Sequence, residues 1–482
     1  MMITKTVGLI SVCLMGVATA LGQTPEVQEL KNKVLQLEQS MRELKSQIAV
    51  MEQAQKPPST RSSAVATSQP GQVPTTQLPV KFYGTETRLR ETAGDNEGGA
   101  PRIDNESLDP ELRGFFRLPG TDTLMKFGGF VKTDLLYDLN YAGTYYGAYV
   151  PSSFPSSTTP HSENATVSMR PTRFTWETRH GTLNGSGDAV KTFFEFDFLS
   201  NYDRNSIRLR QFYGQYKNFL AGQAWSAFSD PDAFPDTLEF EGPPGIIAAR
   251  FPQFRYTQPL NKSNSIGFSV EKSGTDTPFS TQFGVPIGTS KFPDLIGFYR
   301  YENNHGHLYF AGLFRNVGGI VPNTTVPNLS RHTGAFGANL SGVWALGSKD
   351  SMVFQLIIGE GISNYYNDNF GLGTDVGFNS KGKLVATPTG SGQFGYTHNW
   401  TTVLRSTVSY GYTRINNTAF DPGTTYHISN YATVNFIVQP SVRYLFGAEY
   451  IYGSAERKDG FKWIAPRLQA SVTYYINKYP RE

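Results

Sequence analysis

Two periodicities divide this chain. From Val27 onward, apolar residues recur at alternating steps of three and four: Val27, Leu30, Val34, Leu37, Met41, Leu44, Ile48 and Met51. This is the a/d seam of about four heptads, and it predicts a helical coiled coil over residues 23–54. Lys31, Lys33, Glu38, Arg42, Glu43, Lys45 and Glu52 occupy the other faces. From about Leu124 the period falls to two. Met125, Phe127, Val131, Leu135, Tyr137 and Leu139 share one parity, and Lys126, Lys132, Asp134, Asp138 and Asn140 share the other, with Phe130 and Leu136 as apolar exceptions. Thr192, Phe194, Phe196 and Phe198 alternate with Lys191, Glu195 and Asp197. Near the end, Leu468, Ala470, Val472, Tyr474 and Ile476 alternate with Arg467, Gln469, Ser471 and Thr473. Successive side chains of a strand face opposite sides, so residues 124–482 read as strands throughout.

The segments ahead of the strands have other characters. Lys5, an apolar run from Val7 to Ala18 and the small-residue site Ala18-Thr19-Ala20 predict a secretory signal over residues 1–22, with Ala20-Leu21-Gly22 as a neighbouring cleavage site. The run is shorter than the ~20 residues of a membrane-spanning helix, and no apolar run of ~18 residues follows it. Residues 55–80, rich in Pro, Ser, Thr and Gln, predict an extended, disordered linker. Residues 81–123 show no sustained period. The lone cysteine, Cys13, lies inside the signal, so neither a disulfide nor a cysteine-based metal site is expected.

Long alternating strands suit a soluble sandwich or a membrane barrel. Three features favour the barrel. The alternating stretches run about 10–15 residues, against ~5–6 for the average soluble strand. They recur without helical segments between them. Aromatics gather toward their ends, as at Trp176, Tyr299-Arg300-Tyr301, Tyr410-Gly411-Tyr412 and Tyr474-Tyr475, which fits interfacial girdles. Aromatics at 13%, only 17% charged residues and 48 glycines point the same way. A strand plus turn of about 22 residues predicts an all-β transmembrane barrel of about 16 antiparallel strands, wide enough to hold water. The net charge of +3 is too small to suggest a nucleic-acid partner.

Several segments together resemble the DcaP-like outer-membrane porins. The longest is LRQFYGQYKNFLAGQAWSAFSDPDAFPDTLEFEGPPG from Leu209; FRLPGTDTLMKFGGFVKTDLLYD from Phe116, PDLIGFYRYE from Pro293, GHLYFAGLFR from Gly306, GEGISNYYND from Gly359, LRSTVSYGYTRINN from Leu404 and EYIYGSAERKDG from Glu449 accompany it in order. The resemblance implies a 16-stranded trimeric barrel in the bacterial outer membrane, surrounded by its lipid. It also implies a periplasmic N-terminal coiled coil and passive uptake of small organic anions such as dicarboxylates. One feature departs from outer-membrane barrels, which commonly end on an aromatic residue: a polar tail, Asn477-Lys478-Tyr479-Pro480-Arg481-Glu482, follows the last strand.

A diffusion channel performs no bond chemistry, so the candidate site is the charge lining its lumen. Lys132, Arg173, Arg208, Arg210, Arg255, Arg300 and Arg315, together with Arg170, Arg405 and Arg443, fall in or beside strands. As a set they would form an anion-favouring surface; singly, each could equally be paired with an acid. Residues 225–245 carry Asp230, Asp232, Asp236, Glu239 and Glu241. They would either fold into the barrel as a constriction, setting a transverse field against the arginines, or form an exposed acidic loop. His305 and His307 lack a third nearby ligand, so no metal and no cofactor are expected. No G-x-S-x-G, P-loop or H-E-x-x-H motif occurs. An enzyme is therefore not expected, although a barrel enzyme or an adhesin without channel activity is the competing class.

Overall fold

The computed structural model describes residues 114–476 except 144–147, 156–158, 182–189, 200–205, 278–286 and 322–328, together with Gln39. Apart from Gln39, the expected signal, coiled coil and linker lie outside the described residues, as do residues 81–113 and the polar tail after Ile476.

Sixteen long strands follow one another in chain order. They are β1 (Thr123–Asp138), β2 (Arg173–His180), β3 (Val190–Asp197), β4 (Arg208–Tyr216), β5 (Phe219–Trp225), β6 (Arg250–Pro259), β7 (Asn264–Glu271) and β8 (Asp294–Asn303). The second half comprises β9 (Gly306–Val321), β10 (Leu329–Ala345), β11 (Asp350–Glu360), β12 (Pro388–Asn399), β13 (Leu404–Ile415), β14 (Tyr426–Ser441), β15 (Tyr444–Arg457) and β16 (Arg467–Ile476). Each pairs antiparallel with the next. β16 then pairs with β1, from Gly129↔Ile476 to Asp138↔Arg467, closing the sheet. Four short pieces extend its rim: Phe116–Arg117, Asn164–Ser168, Ile287–Gly288 and Lys462–Ile464.

One end of the barrel carries tight turns, such as residues 217–218 between β4 and β5 and 304–305 between β8 and β9. The other carries long segments, including 226–249 and 361–387. These are called the short-turn and long-loop ends below.

The burial pattern is inverted relative to a soluble sandwich. On β16, Arg467, Gln469, Ser471, Thr473 and Tyr475 are buried, whereas Leu468, Val472 and Tyr474 are exposed. Outward Phe127, Leu135, Phe212, Phe254, Phe310, Phe394 and Phe436 are likewise exposed. A sheet in lipid must place its apolar side chains outward and leave no strand edge unpaired, and both conditions hold here. At the short-turn end, outward rings cluster: Phe127 with Trp176 (5.4 Å), Phe219 with Tyr256 (4.9 Å) and Tyr444 with Tyr474 (5.3 Å). The parity exceptions face inward. Phe130 packs with Leu238, Ile437, Leu445 and Tyr475, and Leu136 is likewise buried.

Phe436 projects from β14 with 56% of its surface exposed. Placing arginine there should lower unfolding stability by about 2–4 kcal/mol if the site lies near the bilayer midplane. Phe436→Leu should cost far less. Urea titration of barrels refolded into phospholipid vesicles measures both.

Candidate functional site

At Trp225 and Arg250, which face each other in register, the chain leaves the wall. Residues 226–249 turn into the lumen and run across the inner faces of β10 to β16. A backbone laid there has few water partners and must be satisfied by the wall. Successive strands supply side chains for it. Asn339 donates to the Phe228 carbonyl (2.8 Å), Gln355 to Asp230 O (3.1 Å), Gln393 to Ala233 O (2.6 Å) and Asn435 to Asp236 O (2.8 Å). Gln469 (3.0 Å) and the Lys132 ammonium donate to Leu238 O. The Glu449 carboxylate accepts from the backbone N–H groups of Leu238 (2.8 Å) and Glu239 (2.9 Å).

Glycines on the wall make room for the loop. A Cβ at Gly411 would lie 2.5 Å from Pro243, at Gly447 2.7 Å from Leu238, at Gly395 2.8 Å from Pro235 and at Gly337 3.0 Å from Phe228. Within the loop, Gly245 has φ +89, and a Cβ there would meet the Tyr412 carbonyl at 2.9 Å. Only glycine fits both demands.

All five loop acids lie inside the barrel, so the exposed-loop alternative does not hold. Asp230 accepts from Ser341 (2.9 Å), contacts His307 Nε2 (2.8 Å) and lies 3.5 Å from Arg300. Asp232 pairs with Arg300 (2.9 Å), Asp236 with Arg405 (2.5 Å), and Glu241 lies 3.7 Å from Arg208. Glu239 accepts from the backbone N–H groups of Tyr149 (2.8 Å) and Gly242 (2.7 Å). Burial, reinforced by the neighbouring Glu241, pushes its carboxyl up to about 8 despite those donors.

The sequence-nominated cations divide into two groups. Arg173, Arg208 and Arg210 converge on one wall. Arg208 grips Asp197 with two hydrogen bonds (2.8 and 2.7 Å); Arg210 binds Glu195 (2.7 Å) and Asp197 (3.0 Å); Arg173 lies 3.7 Å from Glu195. Phe240 of the loop sits against all three guanidinium groups. The others act as struts. Arg315 is fully enclosed by Asp294 and Asp375 (both 3.2 Å) and the carbonyls of Gly361 and Gly274. Lys132 is sealed between Asp134 and Leu238. Arg255 binds Gln253 (2.9 Å) and the Trp225 carbonyl, and Arg300 holds the loop acids and Glu302. Of the further cations, Arg170 donates to the Phe198 carbonyl.

Arg250 escaped the sequence reading. Its guanidinium lies 4.4 Å above the Trp225 ring, and among the described residues no carboxylate is within ion-pairing distance of it. With Arg173, Arg210, Trp225 and Phe240 it lines a narrow cavity of about 60 Å³. A larger cavity of about 320 Å³ lies among the long-loop segments, lined by Asp421, Arg457 and Trp463.

The histidines separate: His305 lies at a turn, while His307 points inward to Asp230. Ligand atoms of Asp230, Asp232 and His307 come within 4.8 Å of one another, a set that could hold a cation. Arg300 already places positive charge on both carboxylates.

The model of one protein family, described as DcaP outer membrane protein, matches residues 118–470. The chain belongs to the DcaP outer membrane protein family. Among solved structures, the outer membrane channel DcaP of Acinetobacter baumannii is similar at 22% identity, with a TM-score of 0.65 over 75% of this chain and 99% of that one. An anion-selective porin from Comamonas acidovorans (11% identity, TM-score 0.48) covers 73% of this chain and 100% of its own. OmpT of Vibrio cholerae (12%, 0.46) covers 74% and 99%. Comparison with curated protein sequences returned no significant match. Every loop and wall residue described above falls within the stretch matched by the DcaP family, apart from its last few strand residues.

Glu239 ties the docked loop to pH. Its carboxyl stands near 8 when folded, against 4.5 ordinarily, so the contribution of Glu239 to docking is fully present below pH 4.5 and is lost as pH rises through 8. Each unit of such a shift is worth about tenfold in the docking equilibrium. Limited proteolysis of the 226–249 loop should therefore be faster at pH 9 than at pH 6, and Glu239→Gln should flatten that difference when both forms are compared at each pH.

Proposed function

We propose that this protein is a diffusion channel of the bacterial outer membrane for small organic anions, dicarboxylates above all. The observation that carries the reading is Arg250, a guanidinium stacked on Trp225 at the constriction with no carboxylate partner among the described residues. Around it, Arg173, Arg208 and Arg210 bring the local count to four guanidinium groups against Glu195, Asp197 and Glu241, three carboxylates. Glu239, with its carboxyl near 8, is mostly protonated at neutral pH and adds little negative charge.

An anion a few ångströms from one net positive charge is stabilised by about 1–4 kcal/mol, depending on the effective dielectric. That suffices to favour entry without trapping the solute. A guanidinium presents paired donors that match a carboxylate. Asp197 and Glu195 hold the neighbouring arginines in place, and the Trp225 ring, 4.4 Å away, supports the Arg250 guanidinium. The remaining parts of the reading extend the family resemblance. They are export by the 1–22 signal, a trimer, a coiled coil at residues 23–54 on the periplasmic side, and a short-turn end that faces the periplasm.

The competing class is a barrel enzyme. His307, Asp230 and Ser341 do meet inside the lumen, but the carboxylate stands between the hydroxyl and the imidazole. In that order the histidine has no path to the serine proton, so the trio lacks the arrangement of a nucleophile and its base.

The channel should be anion-selective, with a reversal potential of the corresponding sign across a KCl gradient in planar bilayers. Arg250→Gln should lower the anion-to-cation permeability ratio about severalfold, in line with the loss of one local charge. A cation-selective parent would overturn the reading.

A further inference from the structure

A second group of cations lies on the same wall, toward the short-turn end. Arg179 of β2 stands directly opposite Lys191 of β3, one residue from the strand ends at His180 and Val190. Lys126 of β1 stands opposite Glu177 of β2. All four share the inward parity of Arg173 and Glu195, while Trp176 and Val190 face outward. Like charges directly opposite on adjacent strands are destabilising, and a wall selected only for stability would set an acid there. Glu177 serves both partners, at 2.7 Å from Arg179 and 3.8 Å from Lys191. Glu177, Arg179 and Lys126 are the charged groups acting on Lys191.

The cluster is held in shape. The ring of Phe115 lies under both Lys126 (5.5 Å) and Arg179 (5.3 Å), which fixes the cationic ends of two long side chains. Lys191 and Glu177 keep 14% and 16% of their side-chain surface open. On β2, Arg173 and Arg179 are six positions apart, which corresponds to about 20 Å along the wall. The inward residues between the two charged groups include Phe193 and Tyr213, whose rings pack at 5.6 Å in a small apolar cluster.

We propose that Lys126, Arg179 and Lys191 form a second carboxylate-binding station at the short-turn mouth, separated from the Arg250 constriction by the Phe193–Tyr213 step. Its ligand class is a carboxylate of a small organic acid, because the site already holds one in Glu177. A solute carboxylate takes the place of Glu177 between the arginine and the lysines, then is released to the mouth or passed inward. The proposal rests on the anion-channel reading and adds direction to it: solute arriving from the short-turn side meets this station first.

Single channels of the full protein, inserted in one orientation, test it with succinate added to one side at a time. In Lys126→Gln/Lys191→Gln the rate of succinate-induced current interruptions from the short-turn side should fall about tenfold, while the rate from the long-loop side changes less than twofold. Glu177→Gln removes the built-in competitor and should raise the short-turn rate severalfold, an increase that a misfolded barrel would not produce. Short-turn rates equal to the parent's in both variants would overturn the station. That outcome is distinct from failure of the channel reading, which appears in the parent itself as cation selectivity or as absence of conductance.

Discussion

Lipid offers a backbone no hydrogen-bond partner, and the pairing of β16 with β1 answers that constraint. Closing the sheet removes its last edge and forces every strand to present one face to hydrocarbon and the other to an enclosed interior. The rest of the architecture depends on this. Because Leu468, Val472 and Tyr474 must point out, Arg467, Gln469, Ser471 and Thr473 point in, and the interior becomes a polar chamber. A loop that enters such a chamber finds a wall of amides and carboxylates able to satisfy its backbone, which a soluble apolar core could not provide.

The electrostatics follow the same division. Asp236, Asp230 and Asp232 dock against β8, β9, β10 and β13, where arginines, His307 and Ser341 neutralise or cap them. The opposite wall, β1 to β4, keeps its guanidinium groups clustered, with Phe240 pressed against three of them. The expected transverse field is therefore largely replaced by direct contact: most of the loop's negative charge is consumed in ion pairs. Among the described residues, Arg250 stands apart from these pairs, stacked on Trp225 with no carboxylate within ion-pairing distance.

Strand existence and facing were legible because parity is a local property: two residues along, the side chain returns to the same side. Even the parity breaks at Phe130 and Leu136 were visible, although their reason was not, since Phe130 packs with Leu238, more than a hundred positions later. The charge set was legible as a list, but its pairing was hidden. Arg405 and Asp236 are 169 positions apart, and His307 and Asp230 are 77 apart, and no local pattern links them. Arg250 was missed because it shares the parity of the outward Phe254, and only its partner across the ladder, Trp225, and the loop residue Phe240 beside it place it at the lumen. A usable signal was its place immediately after the loop, mirroring Trp225 immediately before it.

The glycines at 337, 395, 411 and 447 form a mould: the loop's course is set by the side chains that one wall lacks. None of them touches the arginine wall. Bore and charge are thus recorded on opposite sides of the lumen, in residues of different kinds. Adding or removing a methyl group on the mould side shifts the loop toward or away from the guanidinium groups and so changes the width of the passage. Exchanging an arginine changes its sign preference and leaves the mould intact. Related channels on this scaffold can therefore diverge in size limit and in charge preference by separate routes, each open to single substitutions.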